Sequence, residues 1–448
     1  MRRCAPPPRK PPPRAPRRRL RHRDGAERRR SRCQRPGRRR RSGRGAVFDG
    51  GTHDADGPGD DGGAPPAGDI GTCDPTPGTC PVGSHQVDIT TADELVDATR
   101  GDGAFASDPP STCYRIAEGV YEHSANVLMW ITRGGDPGAP RRFVGASRAG
   151  VVVHARATIE ADHVVVENLT FDLTGYAHDG SFNTVTVGEA SDVTLSHLDL
   201  TGDCATGLRG GHVEVDGGDG VVVECSTIER FGQCAGDGHL DHGVYLASGA
   251  DITVRDNVIR DNSSRGIQLN TEGGDFGTLD GVTIERNRIN GNGHRAYEDG
   301  IVINGTGTGT IRRVTIAHNL IYGNFYAGLR FVGAAQSEMV VRANTFYENG
   351  IGEAGGSPSE INLDDVGSGA DTAVTRNLVV SSRPLIANCY DAAGRGFGLD
   401  DDLVGGSGGA GGDCVSGVVS ATVTFDDAAS GDFHTSTPEA AGYGAYAP

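Results

Sequence analysis

The stretch that decides the fold is residues 241–270, DHGVYLASGADITVRDNVIRDNSSRGIQLN. It reads, in order, as a strand at Asp241–Leu246, a turn at Ala247–Ala250, a second strand at Ile252–Val254 and an Asn-x-Ile step at Asn257. The glycine, apolar, variable, apolar pattern of Gly243–Leu246 then returns at Gly266–Leu269. One structural unit therefore ends, and the next begins, within thirty residues.

One position of this unit recurs along the chain every 25 to 33 residues. Its members are Leu169, Leu198, Ser226, Asn257, Asn287, Asn319, Asn344 and Asn377. Five of the eight are asparagine, and each asparagine is followed two residues later by Ile, Val or Phe. Self-similarity with a period of roughly 20–50 residues indicates a solenoid.

A second column of the repeat is the Gly-apolar-x-apolar strand. It occurs at Gly243–Leu246, Gly266–Leu269, Gly300–Ile303 and Gly328–Phe331, and without the glycine at His212–Val215 and Glu360–Leu363. Alternate residues of such strands face a narrow interior. Strands this short fit a coil in which each strand pairs with its copy one turn on, about 4.8 Å away. Stacked asparagines can hydrogen-bond along a bend and tolerate its left-handed conformation.

These features predict an all-β fold, a right-handed parallel β-helix solenoid of about ten coils. Leucine-rich repeats are the alternative, but the chain has no repeated Leu-x-x-Leu-x-Leu consensus and no helical stretch in each unit. The repeats resemble those of the pectate-lyase-like superfamily, which includes pectate, alginate and chondroitin lyases and alginate epimerases. The resemblance covers about 88–448 and implies the fold more than any one activity, because one scaffold carries many functions.

The two ends of the solenoid also have sequence signals. Thr91 and Glu94 form a capping box that predicts a short helix with an apolar side of Leu95, Val96 and Ala98. This helix is expected to cover the open first edge of the solenoid. The order of Tyr114–Tyr121, a Gly/Pro turn and Arg141–Gly145 resembles the first coils of alginate- and chondroitin-lyase-like proteins, and Asp432–Gly442 resembles their closing segment.

Charge divides the chain into segments. Residues 1–45 hold 20 basic and 2 acidic residues, whereas 46–448 hold 22 basic and 57 acidic residues, a formal net charge of −35. The first segment has almost no apolar content and is expected to be disordered. It is either a basic arm or sequence outside the true coding region, and as written it has no apolar core of a secretory signal. Residues 46–87, rich in Gly, Asp and Pro, are predicted to be a linker, and 88–448 the β-helix domain.

Eight of the ten cysteines lie after residue 46, without metal-ligand spacing. An even number of scattered cysteines indicates disulfides and an exported protein, in the extracellular space, the periplasm or on the cell surface. Cys204 with Cys234 and Cys389 with Cys414 are the pairs that the repeat makes plausible. No apolar run is long enough for a transmembrane helix, and a monomer is expected.

Function in a solenoid lies where outward side chains of successive coils align. Aligning the Gly-apolar-x-apolar strands gives an outward column of Thr186, Glu214, Tyr245, Gln268, Val302, Arg330 and Asn362. The residues before the glycine position are Gly211, His242, Arg265, Asp299, Ala327 and Ser359, expected on a turn outside the core. Asp241, Asn270 and Asn304 border this strip, which suits a linear glycan laid across the strands.

Lyase or epimerase chemistry on a uronate needs a neutralised substrate carboxylate, a base for the C5 proton and, for elimination, an acid for the leaving oxygen. We assign His242, Tyr245 and Arg265 as catalytic candidates, with His242 the base and Tyr245 the acid or base. Arg265, together with Arg330, is expected to neutralise the substrate carboxylate. The substrate-binding candidates are Glu214, Asp241, Gln268, Asn270, Asp299 and Arg330. Several lyases of the superfamily use a lysine base, but the only lysine here is Lys10.

Three alternatives remain open. Asp237, Asp241, Glu214, Asp299 and Glu298 could supply the paired carboxylates of a glycoside hydrolase. A non-catalytic carbohydrate-binding or cell-surface module is the alternative outside enzymology, and loops at 172–183, 231–241, 271–280 and 350–359 would have to wall a groove for an enzyme. Ca²⁺ is a possible cofactor through Asp364–Asp365, Asp400–Asp402 or Asp426–Asp427, although no complete calcium motif is present. The acidity of 46–448 argues against nucleic acid as the partner of the folded domain. The expected partner is a polysaccharide; an anionic one would need local Arg or Ca²⁺ to bind, and neutral glycans stay open.

Overall fold

A computed structural model describes residues 70–447 apart from 75–77, 125–126, 176–182, 203–209, 233–239, 272–276, 295–297, 307–308, 334–335, 353–358, 367–371, 384, 389–398, 407–408 and 411–416. The chain forms a right-handed parallel β-solenoid of about nine turns, close to the ten predicted. Each full turn contributes one short strand to each of three lengthwise faces. The arginine- and proline-rich segment 1–45 lies outside the described residues.

The first face consists of Val127–Ile131, Arg156–Ile159, Val185–Val187, Gly210–Asp219, Asp241–Arg255, Ile267–Asn270, Ile301–Gly305, Ala327–Gly333, Ser359–Val366, Leu385–Asn388 and Gly409–Ala410. The second consists of Gln86–Ile89, Cys113–Ile116, Arg141–Gly145, Val164–Glu167, Val193–Ser196, Val222–Glu224, Leu279–Glu285, Ile311–Ala317, Gln336–Arg342 and Ala373–Thr375, joined by the later parts of Gly210–Asp219 and Asp241–Arg255. The third consists of Gly119–Tyr121, Val151–Val153, Thr170–Asp172, Asp199–Thr201, Thr227–Glu229, Val258–Arg260, Arg288–Asn290, Leu320–Tyr322, Thr345–Tyr347, Leu378–Ser381, Leu403–Gly406 and Val419–Ala421.

The remaining elements lie near the two ends of the described chain. They are the α-helix Ala92–Arg100, the 3₁₀ turns Gly103–Phe105, Ala428–Ser430 and Pro438–Ala440, and an antiparallel pair of strands, Phe425–Asp427 and Asp432–Thr435. The capping box of Thr91 and Glu94 is present, and Leu95, Val96 and Ala98 are buried, as predicted. No helix in the described part of the chain has the length and hydropathy of a membrane span.

The predicted turn at Ala247–Ala250 is a bend inside one long strand, Asp241–Arg255, which passes from the first face to the second. Gly249 makes this bend with a φ of 134°, a conformation that a residue with a Cβ rarely adopts. The neighbouring strand Gly210–Asp219 follows the same course with shifts in register at Asp216. The first two faces are therefore continuous at this point, where the sequence pattern alone had suggested two separate strands.

The interior of the solenoid is a set of apolar columns. On the first face Val244 pairs in register with Ile267, and the column continues through Ile301, Leu329 and Ile361. All five side chains are fully buried. Because residues alternate between the two sides of a strand, this register sends the intervening residues outward in a second aligned column.

The predicted asparagine ladder runs along the bend between the second and third faces. Its amide groups hydrogen-bond from turn to turn, with Nδ2 to Oδ1 distances of 2.9–3.0 Å through Asn257, Asn287, Asn319, Asn344 and Asn377. The left-handed residue, however, is the one before each ladder asparagine and before Ser226, which holds the same position one turn earlier. These residues are Cys225, Asp256, Arg286, His318, Ala343 and Arg376, with φ between 52° and 56°. The residue before the asparagine therefore makes the bend, and the asparagine side chain stabilises it through hydrogen bonds.

A second asparagine ladder, which the sequence analysis missed, runs along the bend between the third and first faces. Asn262, Asn292, Asn324 and Asn349 bond in series, with Nδ2 to Oδ1 distances of 2.8–3.1 Å. Each lies five residues after a member of the first ladder, so an Asn-x₄-Asn spacing encodes both. This ladder also explains the glycine column: a Cβ on Gly300 would lie 2.7 Å from Nδ2 of Asn324, closer than real Cβ contacts come.

Near the ends of the two ladders, residues other than asparagine make the buried hydrogen bonds. His212 occupies the glycine position one turn before Gly243, and its ring nitrogens contact the Thr184 hydroxyl and the Glu229 carbonyl. Burial lowers the pKa of His212 to about 3, so the ring is neutral. At the other ends the carboxylates of Glu360 and Asp402 accept from Asn349 and Asn377. Both carboxyls are buried, and burial raises the pKa of each to about 7.

We expect Asp402→Asn to remove part of the pH dependence of stability. The folded-state pKa of Asp402 is raised from 3.8 to about 7, so its stabilising contribution is complete below about pH 4 and is lost as the pH rises through about 7. The amide keeps the oxygen that accepts from Asn377. The variant should therefore be more stable than the wild type by roughly 1–2 kcal/mol at pH 8 and equal to it near pH 4.

Urea unfolding at the two pH values measures this difference. The neighbouring exposed Asp400→Asn is the matched control. An Asp402→Asn protein with the same pH dependence as the wild type would contradict this account of the ladder's end.

Part of the predicted linker packs against the solenoid. Ile70 is buried with Leu320, Phe433 and Ala445, and the backbone N–H of Gly71 donates to the Arg286 carbonyl over 3.0 Å. Disulfides join Cys73 to Cys225 and Cys80 to Cys113. The predicted pairs of Cys204 with Cys234 and Cys389 with Cys414 lie outside the described residues. Gly71 and Cys73 thus contact Arg286 and Cys225, two of the left-handed residues that precede the first-ladder positions.

Candidate functional site

The outward column of the first face is the candidate site. Strand register places Thr186, Glu214, Tyr245, Gln268, Val302, Arg330 and Asn362 side by side on successive turns, in the order expected from the repeat. Adjacent members of this row lie about 4.8 Å apart along the axis. The substrate-binding candidate Asn270 is in register with Asn304, two residues further along the same strands. We call the seven residues of the outward column the polar row; Gln268, Val302 and Asn362 within it are buried, and the other four are partly exposed.

The residues before the glycine position also align on successive turns; most of them are buried, and Arg265 is partly buried. His242 pairs with Gly211, Ala327 with Ser359, and backbone hydrogen bonds place Arg265 and Asp299 on the intervening turns. The side chains were expected on an exposed turn; instead His242 is 2% exposed and Asp299 is fully buried. Side chains from neighbouring turns cover them, and each charged member has a partner of opposite sign close by.

His242 and Tyr245 form a stacked pair in the middle of the row. Their ring centroids are 5.4 Å apart and the rings are inclined by 21°. Nδ2 of Asn270 donates to the Tyr245 hydroxyl over 2.6 Å. This hydrogen bond holds the phenol oxygen in position beside the His242 ring. The structure therefore brings together three residues that the sequence analysis had singled out.

Glu214 lies beside Tyr245, one turn before it. Nδ2 of Asn183 donates to its carboxyl, and Asn183 is held by Nε of Arg156, which donates to its backbone carbonyl over 2.7 Å. Burial, and then the nearby charge of Asp216, raise the pKa of Glu214 to about 7. Sequence reasoning missed Asn183 and Arg156, because neither belongs to a repeated column. Glu214 is thus placed to hold a proton near neutral pH.

Arg265 and Arg330 are already ion-paired. Nη2 of Arg265 lies 2.7 Å from Glu298, and Nε of Arg330 lies 3.0 Å from Asp299. Arg330 also lies 3.4 Å from Glu298. Burial raises the pKa of Asp299 to about 6 despite the two guanidinium groups. Two positive and two negative side chains therefore form a cluster with no net charge when both carboxyls are ionised.

The ion-paired cluster changes what two of the sequence candidates can do. Arg265 and Arg330 were expected to neutralise a substrate carboxylate, but Glu298 and Asp299 already offset their charge. Nη1 of Arg265 also donates to Oε1 of Gln268 over 2.9 Å. The guanidinium groups are consequently held in place as hydrogen-bond donors, and a substrate would meet them as oriented N–H groups more than as net charge.

Three of the carboxylates considered for a hydrolase contact other polar side chains of this face. Glu298 and Asp299 contact the two arginines, and Glu214 accepts from Asn183. Asp241 is buried at the start of its strand, and Asp237 lies outside the described residues. The candidate loops that would wall the site are described only in part.

The calcium candidates do not converge on one site in the described part of the chain. Asp402 ends the first ladder, and Asp427 accepts from the backbone N–H of Ser430. The side chains of Asp364 and Asp365 lie outside the described residues. Among described residues, the one group with ligand atoms within 4.8 Å of one another is Cys73, His197 and Cys225, whose sulfurs are joined in a disulfide.

Comparison with known proteins agrees with the geometry of the fold. Residues 142–294 match the family model described as right handed beta helix region. No curated protein sequence matches the chain. Because one fold carries many activities, the side chains must decide the function.

Several solved structures are similar to this chain. A variant of the PL6 family alginate lyase AlyGC has 13% identity and a TM-score of 0.42, over 80% of this chain and 56% of that one. The pectate lyase Pel9A has 17% identity and a TM-score of 0.42, over 69% and 71%. PfbA, a surface adhesin of Streptococcus pneumoniae, has 11% identity and a TM-score of 0.45, over 74% and 77%. The chain thus spans little more than half the length of the alginate lyase.

Proposed function

We propose that this protein is an exported polysaccharide-active enzyme, a lyase or C5-epimerase that acts on a uronate-containing glycan lying along the polar row. The observation that carries the proposal is the stacked pair of His242 and Tyr245, with the phenol oriented by Asn270. Both reactions begin with removal of the C5 proton of a uronate, and an imidazole beside an oriented phenol provides a base and an acid. The two disulfides support export.

In this proposal the substrate packs directly on the stacked pair, so that His242, although only 2% exposed, reaches C5 and removes its proton. For elimination, Tyr245 protonates the oxygen of the glycosidic bond that breaks, and the C4–C5 double bond forms from the electrons of the C5–H bond. For epimerisation, Tyr245 returns a proton to the opposite face of C5. Arg265 donates N–H groups to the substrate, since its guanidinium is held by Glu298 and Gln268.

Neutralisation of the substrate carboxylate falls to Glu214 in this scheme. The arginine charges are offset, and the chain has no lysine after Lys10. A protonated Glu214 can donate its hydrogen to the uronate carboxylate and stabilise the charge that develops at C5. Its pKa of about 7 makes that form available near neutral pH. Asp241, Gln268, Asn270, Asp299 and Arg330 complete the proposed substrate-binding set.

We expect the activity of the wild-type protein to fall about tenfold for each pH unit above about 7, because the raised pKa of Glu214 sets the loss of its proton there. Glu214→Gln should lower kcat/KM by about 10–100-fold at pH 6, yet lack this alkaline decline, since its amide donates a hydrogen at every pH. Initial rates between pH 5 and pH 9 measure both. An unchanged alkaline limb in Glu214→Gln would remove Glu214 from the mechanism.

The direct test uses the full chain and a panel of polyuronates, with added Ca²⁺ in one arm and EDTA in the other. Ultraviolet absorbance of unsaturated uronates detects elimination, and proton NMR of the polymer detects epimerisation. Activity on one substrate, lost in His242→Ala, supports the proposal. Loss of activity in EDTA would add Ca²⁺ as a cofactor. A protein that binds a glycan without changing it would favour the carbohydrate-binding module.

A further inference from the structure

A long depression lies outside the polar row, along the bend of the second ladder. It encloses about 700 Å³ and is lined by Thr174, Gly202, Arg230, Asp261, Ser263, Gly291, His294, Phe325 and Ile351. These residues come from seven successive turns, so the depression is about 30 Å long and parallel to the solenoid axis. None of them belongs to the proposed catalytic set. We call it the bend groove.

The repeat itself explains why the groove exists. The residue before each second-ladder asparagine is left-handed, with φ of 56° at Asp261 and 68° at Gly291. Arg230, which precedes Phe231 at the same position one turn earlier, has a φ of 58°. Where this position is glycine, no side chain rises from the bend and the backbone forms a floor. A Cβ at Gly291 would lie 2.5 Å from Oδ1 of Asp261. The asparagines beneath fix the bend, so the groove is preformed.

The walls of the groove are apolar at one end and polar at the other. Phe325 and Ile351 follow ladder asparagines by one and two residues, and Ile351 remains 42% exposed. The His294 ring meets Phe325 edge-on, with centroids 6.0 Å apart. Toward the other end lie the carboxyl of Asp261 and the guanidinium of Arg230, whose charges are opposite.

This combination suits a sugar chain better than a charged polymer. A pyranose presents a C–H face that packs on aromatic and aliphatic side chains, and a rim of hydroxyls that bond to carboxylates and guanidinium groups. The length of one residue of an extended glycan is close to the rise of one turn, so successive sugars would meet successive turns. The groove also lies close to the catalytic candidates in sequence, because Ser263 in the groove and Arg265 are two residues apart.

We propose that the bend groove is a second, non-catalytic binding site for a linear polysaccharide, which holds a segment of chain parallel to the solenoid axis. The class of ligand rests on the proposed function, whereas the site is separate from the catalytic residues. Phe325 and Ile351 pack against sugar rings, and Asp261 and Arg230 bind hydroxyls. Such a site would raise the affinity for long chains over short ones.

The test is calorimetric binding of hexasaccharides to the full-length protein. The panel contains oligomers of mannuronate, guluronate, galacturonate and glucose. Phe325→Ala and Ile351→Asp are expected to weaken binding of the preferred oligomer about tenfold, as loss of one packed anchor does. Val120→Asp is the matched control, because Val120 is another exposed apolar residue, distant in sequence from Phe325 and Ile351. It should leave the affinity within about twofold of the wild-type value.

Tyr245→Phe separates this inference from the proposed function. It should bind the hexasaccharide as the wild type does, whether or not the protein turns over any polymer. Weakened binding in Phe325→Ala and Ile351→Asp, together with no turnover of any polymer, would support the binding site in the bend groove and contradict the proposed enzymatic function. Equal binding in Ile351→Asp and Val120→Asp, or no binding to any oligomer, would contradict the proposed binding site in the bend groove.

Discussion

Replacing Tyr245 by phenylalanine is expected to lower kcat by about 10²–10⁴-fold, with little change in KM. The substitution removes only the hydroxyl that Asn270 orients, and the ring can still stack on His242. An interaction made mainly in the transition state affects kcat more than KM. Initial rates on the preferred polyuronate measure the change. His242→Ala should lower kcat to a similar extent, because the base is lost.

Tyr326→Phe is the matched control for the loss of a phenol. Tyr326 lies under Arg330, with the guanidinium carbon 5.3 Å from the ring centroid, at the edge of the same face. The ring is retained, so this variant should keep nearly all activity. Equal losses in the two phenylalanine variants would indicate a general disturbance of the face, and no loss in Tyr245→Phe would exclude Tyr245 as the proton donor.

Asn319→Ala is expected to destabilise the protein by about 3–5 kcal/mol. Oδ1 of Asn319 accepts from both the backbone N–H and the Nδ2 of Asn287, and its Nδ2 donates to the Ile284 carbonyl. All of these groups are buried, so removal of the side chain leaves them without their partner. Each unsatisfied buried group costs about 1–3 kcal/mol.

Urea unfolding at pH 7, followed by circular dichroism, measures this loss. Asn290→Ala is the control, because Asn290 is an outward residue of the third face and only partly buried. It should change the free energy of unfolding by less than about 0.5 kcal/mol. A loss below about 1 kcal/mol in Asn319→Ala would contradict a structural role for the ladder.

The fold could be predicted because the same sequence pattern occurs in several successive units. Five asparagines and four glycines recur at a fixed period, and any one of them would have been uninformative. The second ladder is equally visible as the Asn-x₄-Asn spacing, for example in Asn257 and Asn262. The glycine column has no explanation without that ladder, since only glycine leaves room for the amide above it.

The order of residues along the polar row was predictable, but their burial and partners were not. Register follows from the period of the repeat, and it placed Tyr245 between Glu214 and Gln268. The ion pairs of Arg265 with Glu298 and of Arg330 with Asp299 depend on how long side chains bend between turns. A strand pattern gives the direction of a side chain only at its Cβ.

The pairing of the cysteines could not be predicted from the sequence for a related reason. Cys73 and Cys225 are 152 residues apart, and Cys73 lies in a segment without the repeat. Nothing in its composition fixes where that segment meets the solenoid. Its polar composition suggested a linker, whereas Ile70 and the disulfides hold residues of this segment on the bend.

The measurement that tests the central claim most directly is exchange of the C5 proton. The full-length protein is incubated in D₂O with each polyuronate of the panel, and the products are analysed by NMR and mass spectrometry. Both proposed reactions remove this proton, so we predict deuterium at C5 for an epimerase or unsaturated ends for a lyase, with neither in Tyr245→Phe. Complete retention of the C5 proton in every polymer, with no unsaturated ends, would contradict the proposed chemistry.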